Sequence, residues 1–297
     1  MDAAERAAFA TSLRQAAQRH RDDFDRGLEE IGWREALVAD PAAARAVFAV
    51  QGELNLSSSA LDDVLLHALG QPVEAGTAVL IAPWPIGTRR LRTASRIVSV
   101  GPDGVMPIPP GAPALRPALG VDPDGGWVEL SGSFEIHVMG GCVPAPPRDA
   151  AVAAGRLALA TELAAAARAM LTLARDHAVD RVQFGRPIAA FQAVRHRLAD
   201  ALVATAAAEA AVDAGWEQPT TVTAAMAKAI AGRSSRTVAR HAQQVLAGMG
   251  FTSEHPFHRY FRRVLVLDQL LGSAAEISAE IGATAIRTRQ APTMLSL

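Results

Sequence analysis

The stretch DRVQFGRPIAAFQ, Asp180 to Gln192, concentrates chemically capable side chains between two alanine-rich runs. Stopping a helix needs only a glycine just past its end and a proline soon after, and Gly185 and Pro187 supply both. Arg181, Gln183, Phe184 and Gln192 are surplus to that stop. Arginine presents a fixed fork of donors that suits phosphate oxygens. A glutamine amide serves neutral polar groups, and a phenylalanine ring lies well against a flat heterocycle. Together they suit a ligand with a phosphate bridge and a planar ring. A second patch, QQVLAGMGF, places Gln244 one turn before Gly248 and Gly250, where backbone can approach a ligand closely. Taken alone, that patch also reads as an ordinary helix end.

Other chemistries find little support. The chain has no Walker loop, no H-E-x-x-H and no G-x-S-x-G. His255 and His258 stand at helical spacing, but zinc needs three or four ligands and no others lie nearby in sequence, so no metal is expected. HRYFRR mixes bases with aromatics; on a chain of net charge −1 it reads as a helix face with salt bridges, and no nucleic-acid partner is expected. The single cysteine, Cys142, excludes a disulfide framework. No secretory signal is read at the N-terminus. The most apolar run, Leu157 to Ala167, is broken by Glu162, so a soluble cytoplasmic protein without a membrane partner is expected.

Proline placement sets out the elements that must carry these residues. Of the 18 prolines, 13 fall between Pro72 and Pro147, so long helices belong outside that window. Residues 1–70 read as an N-terminal helical domain, with Asp40 capping a helix that begins at Pro41, and SSALDDVLLHALG closing on Gly70. Residues 71–148 read as a small antiparallel β domain. Its strands are TAVLIA, RIVSV, WVEL and FEIHV, punctuated by GPDG, DPDGG and SGS, with a loose loop at PIPPGAPALRP. Residues 149–297 read as an antiparallel helical bundle. Its helices are placed at about Ala150–Asp180, Ala193–Ala214 (ending at Gly215), Thr221–Leu246, His255–Leu267 and Ser273–Ile286.

In order and placement, the two patches resemble the acyl-CoA dehydrogenase family. Arg181 to Ile188 followed by Phe191-Gln192 is similar to that family's R-x-x-F-G-x-P-I-x-x-x-Q signature. Gln244 to Gly250, followed by Glu254, Pro256 and Arg262, is similar to its Q-x-x-G-G-x-G segment, the proline after it and the arginine beyond. The match runs from about Asp149 to Ile286, is compatible in the N-terminal helices and is poor in the middle. It implies a mainly α fold with a reduced β domain between N-terminal helices and a C-terminal bundle. It also implies FAD shared across a dimer interface, with Arg181 at the pyrophosphate, Gln183 and Phe184 lining the cofactor, Gln192 completing the signature, and Gln244 and Gly248 at the adenine end.

The family's reaction needs a carboxylate within reach of the substrate α-proton. Aligning Arg262 with the family's arginine, and Gly272-Ser273 with its Gly-Thr, puts Leu271 at the base position. Some members carry the base on the first bundle helix beside an arginine matched here by Arg156; that position is Gly155. Neither residue can take a proton. Nor does the segment from Thr77 to Val143 contain the family's aromatic-x-Thr-Glu loop or its W-[IS]-[ST] strand. The expectation is a non-catalytic subunit of an α2β2 acyl-CoA dehydrogenase of the steroid type. A catalytic paralogue would supply the base and most of the flavin site; acyl-CoA would bind in the complex, and no motif identifies the electron acceptor. Two alternatives stand beside it: a self-sufficient homodimer using Asp268 or Glu276, each about a turn from Leu271, and a non-enzymatic interaction or acyl-CoA-binding module.

Overall fold

Helices occupy both ends of the chain and short strands its proline-rich middle, in a computed structural model that describes residues 2–101, 104–108, 114–118, 120–131 and 146–294. The N-terminal helices are α1 (Ala3–Arg19), α2 (Phe24–Glu30), α3 (Trp33–Ala39), α4 (Ala43–Leu54) and α5 (Ala60–Ala68). Asp2 and Glu5 cap α1 reciprocally, the Glu5 amide donating to Asp2 and the Asp2 amide to Glu5. Helix α4 starts two residues later than Pro41. The Asp40 carboxylate accepts the Ala42 amide at 3.0 Å and holds a turn there instead.

The middle strands form two three-stranded sheets. One has the order β1 (Thr77–Ile81), β3 (Arg96–Gly101), β4 (Gly104–Ile108); the other has β2 (Ile86–Gly87), β6 (Val128–Ser131), β5 (Ala114–Pro117). The expected all-antiparallel unit needs correction. β1 and β3 run parallel, with Val79 opposite Val98. Residues 82–95 between them are long enough for the crossover that parallel pairing requires; β3 and β4 pair antiparallel, with Ser99 opposite Met106. ALRP, expected as loop, is β5. FEIHV and Cys142 lie outside the described residues.

The bundle comprises α6 (Pro146–Asp180), α7 (Gln192–Glu217), α8 (Thr221–Leu246), α9 (Phe257–Gln269) and α10 (Ala274–Thr288). By length and composition α6 could cross a bilayer, but most of its apolar stretch is buried here, as befits a core helix apolar on all sides. Helix α7 does not stop at Gly215. That glycine is a packing position, where an added Cβ would lie 2.8 Å from Leu157 Cδ1, and the helix ends ahead of Pro219. Thr220 caps α8 and Ser273 caps α10, each in a reciprocal box. Helix α9 begins at Phe257, after Pro256, rather than at His255. Buried side chains from all three regions, among them Trp33, Val98, Leu163 and Val264, join one core.

Candidate functional site

The Asp180–Gln192 stretch folds as a two-residue hairpin at the end of α6. β7 (Val182–Gln183) pairs with β8 (Arg186–Pro187), and Phe184 and Gly185 turn between them with φ of 54° and 77°. Two successive positive φ values define the turn that best matches strand twist, but its first position ordinarily goes to asparagine, aspartate or glycine. A phenylalanine there is strained, and its ring is 92% exposed. The hairpin is nevertheless braced. The Arg186 guanidinium lies 4.4 Å over the Phe191 ring, and Phe184 meets Phe191 edge-on at 6.0 Å. The Gln183 side chain donates to the Val182 carbonyl at 2.8 Å. Arg181 and Gln192 are exposed, and Arg181 has no ion pair among the described residues.

Helix α8 runs alongside α6, one antiparallel helix removed, so both end on the same side of the bundle. A short 3₁₀ turn, Ala247–Phe251, follows α8. Gln244 and Gly248 are exposed there, and Phe251 is 78% exposed. His177 in the last turn of α6 is close enough to His255 that, after burial, it is the next influence holding His255 below its ordinary value. The six sequence-predicted contact residues therefore lie on one end of the molecule, with Phe184 and Phe251 standing out from it.

The two base positions meet elsewhere, in the interior. Leu271 is 5% exposed at φ 55°, followed by Gly272 at φ 100°. A Cβ built on Gly155 would fall 2.5 Å from Leu271 Cδ1 and 2.9 Å from Leu65 Cδ2, so the leucine fills the space both positions face. The cavity beside it, lined by Leu61, Leu65, Trp84, Thr88 and Leu271, measures about 20 Å³, room for roughly one water. The turn itself is held firmly. Arg156 Nε donates to the Leu271 carbonyl at 2.9 Å; Lys228 Nζ donates to the carbonyls of Asp268 and Gly272 at 3.0 and 3.2 Å. Burial pushes the Lys228 ammonium down to about 8.

Both displaced carboxylates are engaged elsewhere. Asp268 is buried, accepting Arg236 Nη1 and the Ala274 amide, each at 3.1 Å. Glu276 accepts the Ser273 amide at 2.8 Å and its hydroxyl at 2.9 Å, which hold its carboxyl below the usual range. Neither lines the cavity at Leu271. The carboxylate that does is Asp62, unremarked in the sequence; burial pushes it to about 6, and it accepts the Val79 amide and the Thr88 hydroxyl.

Sequence reasoning also missed Arg263. Its neighbour Arg262, matched to the family's arginine, is exposed, whereas Arg263 is 2% exposed. Arg263 donates to the Leu56 carbonyl at 3.0 Å and the Ser57 hydroxyl, and pairs with Asp122 at 2.8 Å and Glu162 at 3.3 Å. It ties α4's exit, the strands and α6 together. Its helical spacing from Leu267 was the available signal. A separate groove of about 790 Å³ runs along the start of α6, between Trp84, Arg148, Arg156, Thr221 and Glu280. Both its arginines sit 6.0 Å from the Trp84 ring centroid.

Residues 149–286 match the acyl-CoA dehydrogenase C-terminal domain. Acyl-CoA dehydrogenase IpdE2 of Mycobacterium tuberculosis is 43% identical over 119 residues, covering 40% of this chain and 37% of that protein. The similarity thus spans little more than a third of the relative's length. Among solved structures, a variant of the Tcur3481-Tcur3483 steroid ACAD superposes with a TM-score of 0.78 at 19% identity, covering 96% of this chain and 98% of that one. The ChsE4-ChsE5 complex from Mycobacterium tuberculosis gives 0.71 at 18%, covering 99% of each chain.

Proposed function

On the premise that residues 149–286 are an acyl-CoA dehydrogenase C-terminal domain within a chain of that family's fold, we propose that this protein is the non-catalytic subunit of a heteromeric, FAD-dependent acyl-CoA dehydrogenase. The carrying observation is the hairpin end: an aromatic held strained and 92% exposed at Phe184, beside an arginine without an ion pair among the described residues.

The two ends of α6 fit the cofactor differently. Arg181 has a guanidinium free for a pyrophosphate, Gln183 and Phe184 offer an amide and a ring face, and Gln192, Gln244 and Gly248 are open to an adenosine end. FAD, when bound there, supplies the hydride acceptor for α,β-dehydrogenation. Leu271 and its roughly one-water cavity do not fit a reacting thioester and flavin, so no proton transfer is assigned to this chain. The ends are also far apart. From Gly155 to Arg181 is 26 residues of helix, roughly 39 Å at 1.5 Å per residue. On this reading the hairpin serves a reacting centre other than the one at Leu271, held by a catalytic paralogue. A cytoplasmic α2β2 assembly acting on a bulky, steroid-type acyl-CoA thioester is the substrate and assembly reading, supported by the two-component steroid neighbour.

The test is the visible spectrum of this chain, alone and co-expressed with a complete acyl-CoA dehydrogenase encoded beside it. Flavin absorbance only in the complex, near one flavin per pair of unlike chains, is expected. Flavin and turnover in the chain alone would overturn the proposal in favour of a self-sufficient enzyme. The 790 Å³ groove gives an acyl-CoA-binding module a specific foothold; that reading predicts thioester binding without flavin in either preparation.

A further inference from the structure

A second cleft, of about 310 Å³, lies where the N-terminal helices, the strands and α9 converge. Four arginines line it: Arg21 after α1, Arg89 after β2, and Arg259 and Arg263 on α9. Asn55 and Ser57 close the wall between them. None of these belongs to the hairpin end or to the Leu271 turn.

Two of the four guanidinium groups, those of Arg21 and Arg259, are incompletely matched. Arg21 donates to the Leu54 carbonyl at 3.1 Å and has no carboxylate partner among the described residues. Arg259 has no ion pair among them either. Arg89 and Arg263 are engaged: Arg89 pairs with Asp25 at 3.2 Å and donates to the Ser57 carbonyl, and Arg263 pairs with Asp122 at 2.8 Å and Glu162 at 3.3 Å. On the same wall Asn55 Oδ1 is buried with no hydrogen-bond partner among the described residues, on a residue held at φ 51°; buried polar atoms in that condition are rare in native proteins. Two carboxylates, Asp22 and Asp124, stand on the same wall.

A converging set of guanidinium forks asks for an oxyanion. The unpaired Asn55 acceptor in the same wall asks that the oxyanion also donate. Sulfate and chloride donate nothing, whereas a phosphate that keeps a P–OH group does both. The geometry points to this cleft as a binding site for a small protonated phosphate, seated between the arginines with its hydroxyl toward Asn55. A cleft of this volume is at the low end for small-molecule sites, which admits inorganic phosphate or a short phosphomonoester. Because the walls come from three parts of the chain, the bound anion also clamps those parts together.

The test is calorimetric titration of the purified full chain, alone or with its partner, with inorganic phosphate, glycerol phosphate and sulfate at matched ionic strength. Expected is saturable phosphate binding, at least tenfold tighter than sulfate, with a rise in thermal midpoint that sulfate does not reproduce. Tighter binding of glycerol phosphate would make a phosphomonoester the source; weaker binding would make it free phosphate. Arg259→Ala and Asn55→Gly, at exposed and turn positions whose backbones tolerate them, should each weaken phosphate at least tenfold. No saturable heat, equal phosphate and sulfate binding, or wild-type affinity in both variants would each overturn the inference. The readout needs no flavin, so its failure leaves the subunit proposal standing, and the reverse.

Discussion

Placing a carboxylate at the family's base position, Leu271→Glu, should damage this chain rather than awaken it. Leu271 is almost fully buried against Gly155 and Leu65. Removing its side chain from the core forfeits about 2 kcal/mol of apolar burial. The new carboxyl enters a cavity of about 20 Å³, with no room for a hydration shell. The cations that hold this turn, Arg156 and Lys228, already serve its backbone carbonyls. An unpaired carboxylate in such a place either ionises at high penalty or stays protonated with a raised pKa. The sum is a loss of about 3–5 kcal/mol at neutral pH, in the range reserved for buried uncompensated charge. Leu271→Gln, of equal size and no charge, separates the contributions. Its loss should be smaller and flat with pH, whereas that of Leu271→Glu should grow as pH rises through the raised carboxyl pKa. Urea unfolding from pH 5 to 9 reads both. A Leu271→Glu chain within about 1 kcal/mol of wild type, binding flavin and oxidising an acyl-CoA unaided, would refute the reasoning, since the cavity would then be a working site missing only its base.

The hairpin makes the opposite prediction. Arg181→Ala should leave the unfolding free energy of the chain alone unchanged, because the residue has no ion pair to lose, yet weaken flavin retention in the complex. One charge-assisted bond to phosphate contributes about 1.5–3 kcal/mol, or about 10- to 150-fold in FAD dissociation constant; flavin release during dialysis measures it, and equal retention would count against the shared site. Glu162 predicts a pH effect. Burial raises its carboxyl from 4.5 to about 7, so the folded chain holds a proton the unfolded chain has released, and its contribution falls as pH climbs from about 4.5 to 7. Glu162→Gln keeps a neutral side chain throughout, so its stability relative to wild type should rise across that window; a difference flat with pH would show that Arg263 keeps Glu162 ionised.

What the sequence made legible follows the range of the interactions involved. Helix positions in the bundle were readable because alanine runs, Thr220, Ser273 and Pro219 act within a turn or two of themselves. Phe184 stood out as surplus to a helix stop, whereas Gln244, taken alone, read as part of an ordinary helix end. Gly215 was misread because its reason is Leu157, a residue on another helix. The parallel pairing of β1 and β3 was missed for a similar cause: the strands announce themselves, but the path of residues 82–95 between them does not. Arg263 was the largest omission. Its partners Leu56, Asp122 and Glu162 come from three separate parts of the chain, and no local pattern could bring them together.

The frame of the Leu271 turn is held independently of the side chain it presents. A leucine at φ 55° followed by glycine at φ 100° is a conformation that needs holding, and Arg156 and Lys228 hold it through backbone carbonyls, indifferent to the side chain presented. Replacing a carboxylate by leucine there therefore leaves the helix junction intact, while Asp268 and Glu276 continue to cap α10. The hairpin is braced by its own pairing and by Arg186 and Phe191, and its exposed ring faces outward. The two ends of α6 are thus held by separate sets of contacts, as the subunit proposal requires.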